Sequence, residues 1–191
     1  MCINMFARKK KDDEKFNEAP SEALKILIAN IPEYQGYKNL EVRKQSDIAF
    51  RTRLLTLLRE IGDIMSQVHE LLIHSQLLTS WGPAGLVMKT ISDLRNTTSN
   101  TDYKYSTFFD AKDVEGEHGI DLSILYLLEI DILDQAEEFK EKISEIKTML
   151  EEMMLDTVEE NIASLMSLSK NLAERFNERN ELIRAFEKMK L

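Results

Sequence analysis

The chain contains few of the residues on which several common kinds of site depend. Its 191 residues include one cysteine, three histidines, six glycines and three prolines. The single cysteine, Cys2, excludes an intramolecular disulfide and any multi-thiolate zinc or iron–sulfur site built within one chain. No glycine-rich phosphate loop, dinucleotide-binding fingerprint or Gly-x-Ser-x-Gly nucleophile motif is present. We therefore predict no catalytic residue and no cofactor, and we interpret the protein as non-enzymatic.

The three histidines do not suggest a metal site. His69 and His74 are five residues apart, which separates them by about 140° around a helix, so they cannot bind one ion together. His118 lies in the polar sequence Glu-Gly-Glu-His-Gly, which is typical of a solvated turn. The one Glu-x-x-His sequence, Glu115 to His118, lies in this glycine-containing turn and not on a predicted helix, whereas di-iron helical bundles carry such a pair on each of two helices. We predict no metal-binding residue.

Long apolar runs and an excess of basic charge are absent as well. No stretch approaches the roughly 18–20 apolar residues that span a bilayer, and the N-terminus lacks the apolar region of a signal peptide, so we expect a cytoplasmic protein. The 34 acidic residues exceed the 25 basic ones, giving a formal charge of −9. Because such a field repels phosphates, we expect no nucleic-acid partner.

Apolar residues at helical spacing organise most of the chain. A short helix is predicted over 21–31, where Pro32 ends it, and a central helix with two adjacent apolar rows over 40–78. Another short helix is predicted over 83–95 with Pro83 in its first turn, followed by a loop over 96–101. The aromatic-rich segment 102–119 predicts a loop packed against the protein. We predict one helical bundle domain over 21–191, preceded by a mobile charged tail over 1–20.

Two apolar seams predict the architecture of the last third of the chain. The first has Glu129 as its one polar position and comprises positions 122, 125, 129, 132, 136, 139, 143, 146, 150 and 153. The second is interrupted by Ser169 and Arg179 and comprises positions 158, 162, 165, 169, 172, 176, 179, 183 and 186. Because the register breaks between them, we predict a coiled-coil-like hairpin with arms at 120–154 and 157–190, turning near Leu155. One bent helix is the alternative, since no glycine marks the turn. The fold class is all-α, an elongated helical bundle.

A ladder of charged residues opens the central helix. Arg43, Asp47 and Arg51, which come just after Glu41, are spaced four residues apart, which places these three on one helical face. The ladder is either a surface row of ion pairs or a group that reaches across the bundle. If one of its arginines pairs with Asp110, the aromatic loop is fastened to the central helix by charge-assisted hydrogen bonds.

Two acids near the start of the hairpin are further candidates. Asp131 is a second possible partner for the arginines of the ladder. Glu129 lies on the first seam and Asp131 lies close to its apolar residues, so both either accept hydrogen bonds from buried donors or stay at the solvent edge of the hairpin.

Two segments together resemble a known family. The segment IPEYQGYKNLEVRKQSDIAFR at 31–51 and the segments YKYSTFFDAKDV and LSILYLLEIDIL within 103–133 are similar to a family of uncharacterised prokaryotic helical proteins. That family has an Ile-Pro-x-Tyr-x-Gly-Tyr-Lys turn, a Glu-x-Arg-Arg-x-x-Asp helix and a Phe-Asp-Ala loop. Lys44 stands where the family has its second arginine. The resemblance implies a shared helical fold and no substrate, and the matching residues are Tyr34, Gly36, Tyr37, Glu41, Arg43, Asp47, Arg51, Phe109, Asp110, Ala111, Tyr126 and Asp131.

The function predicted from these features is a scaffold or protein–protein interaction protein, with a protein partner or self-association. One alternative is a peripheral membrane accessory protein. Its N-terminal apolar residues and adjoining basic run are of the kind that contacts anionic lipid, although acids follow at once; they are Ile3, Phe6, Arg8, Lys9, Lys10 and Lys11. Another alternative is a small-ligand-binding or enzymatic bundle with a site near Arg43, Arg51, Asp110 and Asp131.

Overall fold

The computed structural model describes residues 21–100, 102–103, 106–115 and 119–188, and within them it contains helices and no strand. The predicted all-α helical bundle is thereby confirmed. The N-terminal residues assigned to a tail, with the six proposed membrane contacts, lie outside the described residues, as does His118. The α-helices are α1 (Glu22–Asn30), α2 (Leu40–His74), α3 (Leu78–Ser99), α4 (Leu122–Glu151) and α5 (Val158–Lys188).

Side-chain caps start three of these helices. The Ser21 hydroxyl accepts a hydrogen bond from the Leu24 amide at 3.2 Å before α1. Asn39 caps α2 and Asp121 caps α4 in the same way, each accepting from the amide two residues on. These side chains satisfy amides that have no partner in the first helical turn. The N-terminal boundaries are therefore fixed locally.

Helices α2 to α5 form a four-cornered bundle. Helix α2 packs against α3 and α4, and α5 packs against the same two helices from the opposite corner. The ion pairs Arg53–Glu137 and Lys140–Glu60 show that α2 and α4 run parallel. Helices α3 and α5 run in the other direction, so α3 ends and α4 starts at the same end of the bundle, at diagonally opposite corners. Helix α1 packs against α4.

The two ends of the bundle differ. One end, which we call the turn end, holds the α2–α3 turn at 75–77 and the α4–α5 turn at 152–157. The other end holds the start of α2, the start of α4, the end of α5, the connection at 31–39 and the described residues 106–115 that follow α3. At that end Phe108, Phe109 and Val114 are buried, so the aromatic segment packs against the helices as its composition predicts.

The predicted seams form the interior of the hairpin. All nine positions of the second seam are buried, and so are the first nine of the first seam, whereas Met153 is exposed in the turn. Contacts between Glu129 and Arg179 and between Met149 and Asn161 show that the arms are antiparallel. The hairpin is therefore correct and the single bent helix is wrong.

Helix α3 is longer than predicted at both ends. It begins at Leu78, which shortens α2 to His74, and Pro83 lies in its second turn instead of its first. At its C-terminal end the helix continues to Ser99, where a loop had been predicted. The Thr98 hydroxyl is buried and donates to the Leu94 carbonyl at 2.8 Å. This bond to the preceding turn gives the buried hydroxyl a partner inside the helix.

Both turns of the turn end use a residue other than glycine in the left-handed region. Gln76 has φ of 58° and Met153 has φ of 60°. The Met153 amide donates to the Leu150 carbonyl at 3.2 Å and the Met154 amide to the Met149 carbonyl at 2.9 Å. This is the hydrogen-bond pattern of a Schellman motif, which usually has glycine at that position. A methionine here explains why no turn glycine appears in the sequence.

We expect Met153→Gly to raise the free energy of unfolding by about 0.5–1 kcal/mol, because the left-handed conformation strains an L-residue more than glycine's extra chain entropy costs. Urea unfolding followed by circular dichroism measures this change. Glu152→Gly is the matched control, since Glu152 has φ of −88° and gains nothing from glycine. Equal destabilisation by both substitutions would contradict the assignment of the motif.

Candidate functional site

A fully buried carboxylate lies at the centre of the polar interior. Glu129 of α4 accepts hydrogen bonds from the Tyr34 hydroxyl on Oε2 at 2.5 Å and from the Tyr37 hydroxyl on Oε1 at 2.6 Å. Arg179 of α5 donates to Oε1 through Nε at 2.8 Å. Of the two alternatives that the sequence leaves open for Glu129, the structure has the buried donors and not the solvent edge. The three donors join the 31–39 turn and α5 to α4.

Asp47 extends these contacts to the opposite corner of the bundle. Arg179 Nη2 donates to Asp47 Oδ1 at 2.5 Å and to the Tyr37 hydroxyl at 2.8 Å. Arg51 Nε donates to Asp47 Oδ2 at 2.7 Å. We call Asp47, Arg51, Glu129 and Arg179 the ionic network. Its two carboxylates and two guanidinium groups balance in charge, and every one of these side chains is buried.

The remaining polar atoms of the ionic network meet neutral groups. Arg51 donates to the Thr98 carbonyl and to the Asn180 side-chain oxygen, both at 3.3 Å. The Tyr103 hydroxyl donates to Asp47 Oδ2 at 3.1 Å. Buried charges are tolerated when their hydrogen-bonding capacity is met, so these contacts stabilise the network against the cost of desolvation.

Aromatic rings enclose the two guanidinium groups. The Arg179 guanidinium lies 4.5 Å from the centre of the Phe50 ring, and the Arg51 guanidinium lies 5.4 Å from that of Phe176. The ring of Tyr37 stacks on Tyr126 with centroids 6.0 Å apart. The electron-rich faces attract the cations while shielding them from water. The network is therefore fixed by packing as well as by charge.

Burial and ion pairing shift the pKa values of the two carboxyl groups of the ionic network in opposite directions. Burial raises the pKa of Glu129, and Arg179 with the tyrosine hydrogen bonds only partly offsets that rise. Burial also acts to raise the pKa of Asp47, but Arg179 and Arg51 outweigh it and the net pKa is lowered. Burial raises the pKa of Tyr37 well above its ordinary value, so this phenol is a donor at neutral pH.

The opposite shifts predict opposite pH dependences for two substitutions. Asp47 contributes stability above its unfolded pKa, and that stability is lost as pH falls through its lower folded pKa. The free energy of unfolding of Asp47→Asn should therefore approach that of the wild type as pH falls from 7 to 3. Glu129 has a raised folded pKa, so its contribution is present at low pH and lost as pH rises through that pKa. The free energy of unfolding of Glu129→Gln should therefore fall further below that of the wild type as pH falls from 7 to 3.

Urea unfolding between pH 3 and pH 7 measures both deficits. Asp131→Asn, at a partly exposed position on the surface of α4, is the control, and its free energy of unfolding should follow that of the wild type across this pH range. If the free energies of unfolding of Asp47→Asn and Glu129→Gln changed with pH in the same direction relative to the wild type, the opposite pKa shifts assigned to the two carboxyl groups would be contradicted.

Arg43 forms a separate, equally buried cluster with backbone atoms. It donates to the carbonyls of Tyr37 at 2.6 Å, Phe108 at 2.5 Å and Ala111 at 2.9 Å, and its guanidinium lies 5.1 Å from the Phe108 ring. These carbonyls belong to loops and have no backbone hydrogen bonds of a helix or sheet, so the buried guanidinium supplies the donors that they need. Arg43 thus fastens the aromatic loop to α2 through backbone carbonyls, and not through the carboxylate of Asp110 or Asp131 that the sequence offered as a possible partner.

The other predicted residues lie away from this interior. Glu41 is exposed in the first turn of α2. Asp110 is exposed and pairs with Lys44 at 2.7 Å, and Asp131 is 44% exposed and pairs with Arg175 at 3.0 Å. The four residues of the proposed ligand site therefore do not converge, and only half of the predicted ladder, Asp47 to Arg51, is an ion pair.

Arg179 is the residue that the sequence prediction missed. It interrupts the second seam, and the spacing within its own helix indicates no partner for it. Arg179 and Glu129 are each 25 residues from position 154, so an antiparallel hairpin turning there places them face to face. Two opposite charges at facing seam positions were the available signal.

The ionic network does not line either of two surface grooves. A groove of about 210 Å³ lies between α1 and α4 and includes Ile26 and Arg53. Another of about 570 Å³ on the α4–α5 surface includes Asp131, Glu174 and Arg175. Within the described part of the chain, no three His, Cys, Asp or Glu side chains are grouped to hold a metal ion. None of its helices has the length and apolar character needed to cross a membrane.

Comparison with known proteins supplies no relative for this arrangement. No protein-family model, curated protein sequence or solved structure gives a significant match to the chain. The resemblance based on Tyr34, Tyr37, Arg43 and Asp47 stays a prediction. The chemistry of the interior must therefore be argued from its own geometry: a charge-balanced set of groups, each engaged with another and sealed by aromatic rings.

Proposed function

We propose that this chain is a non-enzymatic helical interaction protein. Its ionic network fixes how the helices pack, and its turn end binds a protein partner. The network supports the first part, because its charged groups face one another and the core instead of a groove. A catalytic group must reach a substrate, and groups this completely engaged have no free atom to offer.

The exposure of large apolar side chains at the turn end carries the second part. Two of them lie on the first turns of α3, one on the last turn of α2, and two in the α4–α5 turn. We call this set the turn-end patch, and its members with their exposed fractions are Ile73 (45%), Leu78 (70%), Trp81 (40%), Met153 (66%) and Met154 (49%). Large apolar side chains exposed together at one end of a bundle are typical of an interaction surface.

Methionine and tryptophan favour this interpretation. Methionine has a flexible, polarisable side chain that adapts to different partner surfaces. Tryptophan is enriched among the residues that dominate binding energy at interfaces. Trp81 stacks on His69 with ring centroids 5.6 Å apart and planes 7° apart, so it is held in place before binding.

Site-resolved photocrosslinking tests the proposal. A photoreactive phenylalanine analogue replaces Leu78 in the full chain, which is then irradiated in an extract of the cells that produce the protein. Leu127, which is 59% exposed at the start of α4, is the matched position at the other end of the bundle. We expect discrete adducts from position 78 and none from position 127. The same adducts from both positions, or none from position 78, would contradict the proposal.

A further inference from the structure

We infer that the partner of the turn end is a protein surface with an apolar centre and a rim of lysine and arginine. This inference rests on the proposed function and adds the chemistry of the partner. It follows from the charges around the turn-end patch.

Exposed acids share the turn end with the patch. The segments 69–84 and 147–163, which form the turn end, contain six acids and a single lysine, giving a formal charge of −5. Lys147 is that lysine, and Glu151 pairs with it at 3.5 Å. All six acids are exposed, and they are Glu70, Glu151, Glu152, Asp156, Glu159 and Glu160.

This acidic rim selects among possible occupants. A second copy placed end to end would bring two rims of −5 together, and an anionic membrane would meet the same repulsion. A partner with a basic rim is attracted instead, and complementary charge raises its rate of association. Leu78 and Met153, the two most exposed members of the patch, supply apolar area for its centre. A basic amphipathic helix has both features.

The turn-end patch contains a natural fluorescent probe of binding. Trp81 is the only tryptophan in the chain, and it is 40% exposed. A partner that covers it transfers the indole from water to an apolar surface, which moves its fluorescence emission to shorter wavelength. Binding at this end of the bundle is thus observed without any label.

Two synthetic 18-residue helical peptides without tryptophan serve as probes. They share the same leucine positions, and their polar face is lysine in one and glutamate in the other. We expect the Leu/Lys peptide to shift the emission of the full chain saturably and the Leu/Glu peptide to leave it unchanged. Because the attraction is screened by salt, the affinity for the Leu/Lys peptide should fall by about tenfold between 50 and 500 mM salt.

Matched variants locate the binding. Glu159→Lys/Glu160→Lys should weaken Leu/Lys binding by about tenfold, since it reverses two charges beside the patch. Asp134→Lys/Glu174→Lys, which reverses two exposed charges elsewhere, is the control and should bind about as tightly as the wild type. Leu78→Asp should weaken binding more than Leu127→Asp. Circular dichroism establishes that each variant is folded.

Several outcomes would overturn the inference. They are binding of neither peptide, equal binding of both, equal effects of the two charge reversals, or an emission shift with vesicles of phosphatidylserine and phosphatidylcholine. Any of these together with adducts from position 78 would refute the partner chemistry alone. Loss of those adducts would refute the proposed function itself.

Discussion

Arg179→Met should lower the free energy of unfolding by about 3–5 kcal/mol, the cost of removing one partner from a buried ion pair. Arg179 binds both Glu129 and Asp47, and the side chains of all three are fully buried. Methionine fills similar volume but leaves two carboxylates with one remaining guanidinium. The network would then hold an uncompensated negative charge between α2 and α4.

The loss of unfolding free energy caused by Arg179→Met should depend on pH. Without Arg179, the native state regains neutrality when Glu129 takes up a proton, so the deficit should be smaller at pH 5 than at pH 8. Urea unfolding at the two pH values measures it. Arg175→Met is the matched control, because Arg175 lies one turn earlier on α5, is half exposed and pairs with the exposed Asp131. Similar deficits for the two variants would contradict a special role for the buried arginine.

Arg43→Met should lower the free energy of unfolding by about 3 kcal/mol, because it leaves several buried carbonyls without a donor. The effect should be concentrated in the loops that these carbonyls belong to. We expect faster amide hydrogen exchange in segments 31–39 and 106–115, while the α4–α5 hairpin keeps its protection.

Hydrogen exchange with mass spectrometry distinguishes this local effect from general destabilisation. Lys44→Met is the matched control, since Lys44 is the next residue and binds Asp110 at the surface. Uniformly faster exchange in Arg43→Met, or equal loop exchange in both variants, would contradict the role assigned to Arg43.

Periodicity made the helices predictable. The seams of the hairpin are read from spacing alone because burial on a helix recurs every three or four residues. Helix boundaries were less predictable where local chemistry opposed the usual signals. Thr98 is buried in a polar segment with its hydroxyl bonded inside the helix, and Met153 takes a backbone conformation usually left to glycine.

The candidate site was only partly predictable, because its contacts join corners of the bundle that are far apart in sequence. Asp47 and Arg179 are separated by 132 positions. Spacing places a residue on a face of its own helix but does not say which helix lies opposite. Asp131 illustrates the point: two positions from Glu129 correspond to about 200° around the helix, so one acid faces the core and the other faces solvent.

The central claim is that the buried charges act on one another to hold the bundle together, and a double-mutant cycle between Glu129 and Arg179 measures this most directly. Urea unfolding at pH 7 gives the free energies of the wild type, Glu129→Gln, Arg179→Met and the double variant. We expect the double variant to be more stable than the sum of the single losses implies, with a coupling energy of about 2–3 kcal/mol. Additive losses would mean that the two groups do not stabilise each other and would contradict the account.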